Sequence, residues 1–266
     1  MNIIVITIVT IFSFHTQLQF DQPVTQHFYT LRCIPSSDGV QQLFSVNCRV
    51  APKGNIRYNK DGFCNTIGTG CIKETHQYFS FDVEGVAFVK NEKRSVQDLD
   101  GRDAIYRYPT FLTMPDNNIK EFLTQLQIKK EDGAGGLICL REAIAKHMKY
   151  VPGTTNIQTT ASQAFRLSMG VCQDYAHIYL AMARLLGYQA RYMSGMMLGE
   201  GATHAWVEAA VDGKWIGIDP ANDCLVDDRY ICFAHGRDYS DCPVERGIFL
   251  GAASQSQEVL VSVWEK

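Results

Sequence analysis

The chain has 266 residues, of which 46% are hydrophobic and 20% are charged. That length and composition allow one large or two modest packed domains and exclude a disordered chain. Lysine and arginine number 25 against 28 aspartates and glutamates, which gives a net charge of −3, and no basic stripe is present. We therefore expect no nucleic-acid partner.

The chain begins with an apolar, mostly β-branched stretch, MNIIVITIVTIF. It lacks the leading lysine or arginine and the small-residue cleavage site of a signal peptide, and it is too short to span a bilayer. Because β-branched residues favour strands, we predict a first β-strand here and no stable membrane insertion. The alternative interpretation is an export signal.

Residues 12 to about 90 alternate between apolar and polar side chains. One such run is FSVNCRV at 44–50 and another is FSFDV at 79–83, with turn-forming residues between the runs. Short alternating strands separated by turns are typical of a β-sandwich. We predict an antiparallel β-sandwich domain over residues 1–95 and a second domain over residues 96–266.

The spacing of apolar residues becomes helical in the second half of the chain. We predict four helices, over residues 117–127, 136–149, 160–170 and 171–187. Thr160 and Gln163 form a capping box that opens the third helix, and Gly170 is expected to end it. The fourth helix is apolar on nearly every side, which is typical of a central, buried helix.

Cys172 lies in the first turn of this fourth helix. The free backbone N–H groups and the helix dipole at that end favour negative charge, and therefore a thiolate. A cysteine in an apolar helix is nevertheless more often a packing residue. The helix alone leaves both interpretations open, and a nucleophile would need a base from elsewhere in the chain.

Asp212 and Gly213 lie between two alternating runs, ATHAWVEAAV and KWIGIDP, a pattern typical of a two-residue hairpin turn. In that register Trp206 faces Asp219, so His204 and Asp219 are diagonal neighbours on one face of the hairpin. The local geometry therefore predicts a carboxylate beside an imidazole.

A thiolate, an imidazole and a carboxylate can act together as nucleophile, base and orienting group. We therefore predict a catalytic site of Cys172, His204 and Asp219 that needs no cofactor and no metal. The alternative is a zinc site, because the same three residue types bind zinc. A looser zinc cluster in the last part of the chain is a further alternative, although structural thiols are expected there; it comprises Cys224, Cys232, His235 and Cys242.

Several segments together resemble the transglutaminase-like family. They are GVCQDYA from residue 170, ARLLGYQARYMSG from 183, HAWVE from 204 and WIGIDPAN from 215. YVPGT at 150–154 matches a segment upstream of the cysteine, and residues 12–89 are similar to the N-terminal β-domain of bacterial members. The resemblance covers nearly the whole chain, with the motifs in the family's order and spacing.

The resemblance implies an α+β fold in which the β-sandwich precedes a papain-like core, with a central helix packed on an antiparallel sheet. It implies Cys172 as nucleophile, His204 as base and Asp219 as the residue that orients His204. The expected activity is thiol-dependent acyl transfer on amide bonds of a peptide or protein substrate. With water as acceptor the enzyme is a cysteine peptidase or amidase, and with an amine it is a transglutaminase.

Two alternatives to this function stay open. One is a catalytically silent binding module, and the other is an arylamine N-acetyltransferase, whose usual Arg-Gly-Gly before the cysteine is absent here. The nine cysteines are scattered and include no C-x-x-C pair. That pattern predicts reduced thiols in a cytoplasmic protein, with an exported form as the alternative.

Some residues near the predicted site have structural as well as functional interpretations. We expect Asp174 to be a first-turn acid favoured by the helix dipole and His177 to be a core histidine. Trp206 and Tyr150 either line the cleft or pack in the core. The glycine-rich segment 193–201 is either a mobile lip of the cleft or a plain connecting loop.

Overall fold

The computed structural model describes residues 9–96 and 102–265. The first half of the chain forms five strands, β1 (Val9–Leu31), β2 (Gln41–Ala51), β3 (Arg57–Lys60), β4 (Thr66–Ile72) and β5 (His76–Val89). The predicted first strand is present from Val9 onward, and its residues 1–8 lie outside the described part of the chain.

Strand β1 is 23 residues long, and its pairings divide between two sheets. Its first part pairs with β5, which pairs with β2, and its last part pairs with β4 after an irregularity between Gln19 and Val24. Phe20 before the irregularity lies 5.7 Å, between ring centroids, from His27 after it. The two sheets therefore pack face to face, and the predicted antiparallel β-sandwich is confirmed.

The second half of the chain contributes four α-helices and a further sheet. The helices are α1 (Asn117–Leu126), α2 (Gly133–His147), α3 (Ala161–Leu167) and α4 (Cys172–Leu185). The strands are β6 (Lys149–Tyr150), β7 (Met169–Gly170), β8 (Ala190–Met197), β9 (Gly199–Gly201), β10 (His204–Val211), β11 (Lys214–Asp219), β12 (Cys224–Leu225) and β13 (Tyr230–Gly236). None of the described helices is long and apolar enough to cross a membrane.

Helix α4 lies against a five-stranded antiparallel sheet of order β12-β11-β10-β8-β13. The face of β10 toward the helix carries small and branched residues, Ala205, Val207 and Ala209, all buried. Small side chains let the helix approach the sheet closely. The predicted α+β class, with a central helix on an antiparallel sheet, is confirmed.

Helices α2 and α3 have different ends from those predicted. Helix α2 begins at Gly133 and ends at His147, whereas a helix over 136–149 was expected. Helix α3 ends at Leu167 because Ser168 adopts a left-handed conformation with φ of 54°. The residues that follow each helix become strands β6 and β7, which pair in parallel. These residues are therefore not helical, because they pair with each other as strands.

The predicted hairpin has the expected register. Val211 pairs with Lys214, and the ladder continues to Val207 with Ile218. The two turn residues, Asp212 and Gly213, have φ values of 49° and 72°, as a type I′ turn requires. Asp and Gly accept positive φ at low cost, which is why this sequence turns here.

The end of the chain returns to the first sheets. Strands β14 (Glu245–Leu250) and β15 (Gln255–Glu265) both pair with β1, and β15 also pairs with β9. The C-terminal strands thus belong to the sheets of the N-terminal half. The boundary at residue 95 between two domains stays a prediction.

Two buried amide side chains join the halves. Gln41 donates to the Cys232 carbonyl (3.0 Å) and accepts from the Cys232 N–H (2.8 Å). Asn65 does the same with His235, at 2.8 and 2.9 Å. Each amide therefore pairs with the outer edge of β13 as a further strand would.

Candidate active site

Cys172 is the first residue of α4, and Asp174 holds the start of that helix. The Asp174 Oδ2 accepts the Val171 N–H at 2.8 Å and the Thr155 hydroxyl at 2.7 Å. Asp174 is buried, and burial raises its pKa above the usual range. It is a capping acid at the first turn, as expected, and it also ties the segment before α3 to the helix that carries Cys172.

His204 and Asp219 lie together on one face of the β10–β11 hairpin. The His204 Nε2 is 2.6 Å from the Asp219 Oδ2. The hydrogen bond predicted from the hairpin register is present. Because Nε2 is engaged by Asp219, Nδ1 is the imidazole nitrogen available to another group.

That other group is the Cys172 thiol, which lies close enough to His204 to contribute to raising its pKa. Burial alone would lower the pKa of His204, but the hydrogen bonds and charges of Asp219 and Cys172 outweigh it and raise the pKa to about 9. Below that pH the imidazole is protonated. The structure therefore brings all three predicted site residues together as Cys172, His204 and Asp219.

Asp219 is held by two residues that the sequence interpretation assigned no role. The Tyr230 hydroxyl donates to Oδ2 at 2.8 Å, and the Asn222 side chain donates to the same oxygen at 2.8 Å. The backbone N–H groups of Ala221 and Asn222 bind Oδ1. Burial alone would raise the pKa of Asp219, but its hydrogen bonds, first those from His204, hold it below the usual range.

Asn222 was within reach of sequence reasoning and Tyr230 was not. Asn222 follows Asp219 and Pro220 in a turn, where a side-chain amide commonly bonds nearby groups. Tyr230 reaches Asp219 from β13, which is separated from β11 by two strands of the sheet. No local pattern reports such a contact.

Trp206 stands beside the imidazole. Its ring is nearly parallel to that of His204, with centroids 6.4 Å apart, and it meets Tyr230 edge to face at 5.3 Å. Trp206 is 1% exposed, so it is a buried support of His204. Gly195 faces His204 across the sheet, and a Cβ there would come within 2.7 Å of the Trp206 ring. Glycine at 195 is needed to make room for that ring and, more closely still, for the Ile231 carbonyl oxygen of β13.

Tyr150 lies over Cys172. The parallel β6–β7 pair places it opposite Gly170, and its hydroxyl lies near Cys172. Burial, followed by the nearness of Cys172, raises the pKa of Tyr150. More than half of the Tyr150 side chain is exposed. Tyr150 therefore lines the cleft rather than packing in the core.

The segment 193–201 is neither a free lip nor a plain loop. Residues up to Met197 complete β8, and Gly199–Gly201 form β9, which pairs with Val261, Ser262 and Val263 of β15. Both interpretations offered for this segment were wrong, because a C-terminal strand supplies backbone partners for it.

The other residues considered from the sequence, His177 and the late cysteine cluster, lie in surroundings typical of packing residues. His177 is fully buried, accepts the Tyr239 N–H at 3.2 Å, and has its pKa lowered by burial, as a core histidine. The Cys224 thiol contacts the Tyr230 hydroxyl at 3.4 Å. Within the described ranges, no three or more His, Cys, Asp or Glu side chains are grouped to hold a metal ion.

Two family models match parts of the chain. The model of the transglutaminase-like superfamily matches residues 121–220, and the model of the bacterial transglutaminase-like N-terminal region matches residues 12–87. An uncharacterised protein of Mycobacterium leprae is 31% identical over 265 residues, covering 92% of this chain and 94% of that protein.

Two further proteins are similar to this chain, one over a shorter segment and the other at lower sequence identity. An uncharacterised protein of Mycobacterium tuberculosis is 37% identical over 140 residues, which are 47% of this chain and 44% of that protein. The crystal structure of a candidate cysteine protease from Cytophaga hutchinsonii superposes with a TM-score of 0.80 at 20% identity. The match covers 97% of this chain and 91% of that one, and it shows a shared fold.

Proposed function

Because the chain belongs to the transglutaminase-like superfamily, we propose that it is a thiol-dependent enzyme that transfers acyl groups from amide bonds of a peptide or protein substrate. One observation carries the proposal. The Asp219 Oδ2 lies 2.6 Å from the His204 Nε2, and the Cys172 thiol at the start of α4 lies near the same imidazole. This is the arrangement that nucleophilic acyl transfer needs.

In the first half of the proposed reaction, the Cys172 thiolate attacks the carbonyl carbon of the amide. The carbon–nitrogen bond breaks, and the His204 imidazolium gives its proton to the leaving amine, so that a thioester remains on Cys172. His204 is suited to this step because its pKa of about 9 keeps it protonated at neutral pH. Asp219 stabilises the charged ring and fixes its orientation.

In the second half, neutral His204 takes a proton from the acceptor, which attacks the thioester and releases Cys172. Water gives a peptidase or amidase and a primary amine gives a transglutaminase. We favour water as the simpler acceptor. Mass spectrometry of the products formed from one peptide, with and without a fluorescent primary amine, distinguishes the two acceptors.

The developing oxyanion needs donors beside the thioester carbon. The Cys172 backbone N–H is one, since it lies at the free end of α4. The Tyr150 hydroxyl is the second donor that we propose, because it lies near Cys172. The substrate oxygen would enter between the two groups, and the hydroxyl would turn to donate to it.

The test of the proposal is trapping of the acyl-enzyme. Brief treatment with p-nitrophenyl acetate at mildly acidic pH should acetylate Cys172 in preference to the other cysteines, as read by peptide mapping. Cys172→Ala should remove the fast phase of nitrophenol release, and Cys139→Ala, which changes an exposed cysteine elsewhere, should leave it intact. Equal acetylation of all exposed cysteines would instead favour a catalytically silent binding module.

The cellular location is part of the same proposal. All nine cysteines are unpaired in the described structure, which supports a reducing compartment such as the cytoplasm. Alkylation of the freshly isolated protein under denaturing conditions should therefore modify nine thiols without prior reduction.

A further inference from the structure

A cavity of about 710 Å³ lies between the N-terminal sheets and the core. Its walls come from the loop before β2, the β3–β4 turn, the segment 92–95 and strands β8, β11 and β13. Cys172, His204 and Asp219 do not line it. Glu208 lies on β10 at the end nearer the cavity, and His204 begins the same strand. The two residues are four positions apart, which is ~13 Å along the strand at ~3.3 Å per residue.

The cavity has a fixed frame. Gln41 and Asn65, 1% and 3% exposed, hold the N-terminal half against β13 through four hydrogen bonds to Cys232 and His235. These contacts form its rear wall. A space bounded by paired strands and buried amides is preformed, which lowers the cost of binding a ligand there.

The lining of the cavity is cationic, although the chain as a whole is acidic. Two acidic side chains, Asp38 and Glu92, line it, and the buried Glu208 carboxylate binds two of the arginines behind the lining, against five basic side chains in all. The basic side chains are Lys60, Lys93, Arg94, Arg191 and Lys214. A cleft lined mainly by one sign of charge concentrates ligands of the opposite sign.

Two of these cations have a terminal nitrogen that binds none of the described residues. Arg191 binds the buried Glu208 through Nε and one terminal nitrogen, at 2.9 and 2.6 Å, and Arg94 binds the same carboxylate at 2.8 Å. The Asp38 carboxylate accepts a hydrogen bond from the Arg94 Nε. The remaining terminal nitrogen of each guanidinium binds none of the described residues and is not enclosed by them. One buried carboxylate thus holds two guanidinium groups at the cavity floor.

Aromatic rings form the adjoining wall. The Arg191 guanidinium lies 4.3 Å above the Trp215 ring, and Tyr106 meets Trp215 edge to face at 5.8 Å. Phe63 and His235 lie 6.3 and 6.5 Å from Tyr106. Burial lowers the pKa of His235 to about 3, so its ring is neutral at physiological pH. Flat apolar surface therefore adjoins these guanidinium groups.

We propose that this cavity is a second ligand site, which binds a small organic anion with a planar body. The planar body lies against the aromatic wall, and a carboxylate accepts hydrogen bonds from Arg94 and Arg191. A volume of about 710 Å³ is in the range of roughly 300–1,000 Å³ that is usual for small-molecule sites. The site is separate from the proposed catalytic residues and does not depend on their chemistry.

Calorimetric titration with 2-naphthoate, and with the neutral 2-naphthamide as its matched partner, tests the charge requirement. At about 50 mM salt, where screening is weak, the carboxylate should bind saturably with one site per chain. Its Kd should be about tenfold or more below that of the amide, because the neutral amide has no negative charge to pair with the guanidinium groups. Equal affinities, or no saturable binding of 2-naphthoate, would overturn the proposal.

Variants with equal charge change locate the site. Lys93→Gln with Lys214→Gln removes two exposed cations of the lining and should raise the Kd about three- to tenfold. Lys120→Gln with Lys146→Gln removes two exposed cations elsewhere and should change it less than about twofold. Cys172→Ala should bind 2-naphthoate like the wild type. Equal effects of both lysine pairs, or loss of binding in Cys172→Ala, would place the ligand elsewhere and overturn the assignment.

Discussion

At the scale of single residues, the Asp219 carboxylate controls the proton on His204. Both of its oxygens are occupied by donors, and Tyr230 and Asn222 fix its position. The carboxylate therefore keeps its charge beside the imidazole. This charge and the Cys172 contact raise the pKa of His204 against the effect of burial.

Replacing Asp219 by Asn should lower the pKa of His204. The raising effects of the Asp219 hydrogen bond and charge are lost while the lowering effect of burial remains, so the imidazolium loses its proton at a lower pH than about 9. An NMR titration of the His204 ring reads this directly. Turnover should fall on the order of 10–10³-fold. An unchanged titration midpoint would contradict the role given to Asp219.

Replacing Tyr150 by Phe should lower kcat with little change in KM. A donor used only in the transition state lowers kcat when removed, and loss of one oxyanion donor costs about 10²–10³-fold. Tyr108→Phe is the control, because it removes a hydroxyl from an exposed ring. A rise in KM at constant kcat would assign Tyr150 to substrate binding instead.

At the scale of elements, β14 carries a partly buried carboxyl group, Glu245, that no cation among the described residues neutralises. The Oε1 of Glu245 has no hydrogen-bond partner among the described residues, and burial raises the pKa of this group from 4.5 to about 7. Between those values the folded state binds more protons than the unfolded chain. Stability therefore falls as the pH rises from 4.5 to 7, and the loss is complete above 7.

Glu245→Gln should therefore stabilise the protein at pH 8 and not at pH 4. The expected gain at pH 8 is on the order of 1–3 kcal/mol, because the neutral amide avoids burying a charge. Urea unfolding at several pH values measures it. Glu258→Gln on the exposed face of β15 should show no such pH dependence. A gain that is equal at pH 4 and pH 8 would rule out the titration as its cause.

At the scale of the whole molecule, both ends of the chain build one sheet. Thr10 to Phe20 pair with residues 255–265, and Phe14 lies 5.5 Å from Phe233 of the core sheet, between ring centroids. The same C-terminal strand supports β9 next to the candidate active site. The two halves are therefore connected by sheet pairing, by ring packing and by the amides of Gln41 and Asn65.

Deletion of residues 255–265 should abolish cooperative folding of the full chain. It removes the ladder to β1 and the buried side chains of Val261 and Val263, which stabilise by roughly 1.5–3 kcal/mol each. Circular dichroism melting measures the loss. Leu260→Ser, which changes an exposed side chain on the same strand, should melt close to the wild type. A cooperative melt of the deletion variant would mean that β15 is dispensable.

Local sequence determined much of this protein. The apolar alternation of β1, the capping box of Thr160 and Gln163, and the Asp212–Gly213 turn each act within a few residues. Because the hairpin turn sets the register, the closeness of His204 and Asp219 was also predictable. The position of Cys172 at a helix start follows from the same local patterns.

Tertiary structure alone decided the rest. Tyr230, Tyr150, β9 and the cavity with its Arg94–Glu208 contact all depend on chain segments that are distant in sequence and meet through sheet order. The end of α3 and the return of β15 to β1 depend on pairing partners that a local pattern does not specify. Hydrogen-bonded turns and caps are short-range, whereas sheet pairing and burial are decided by which surfaces the whole chain brings together.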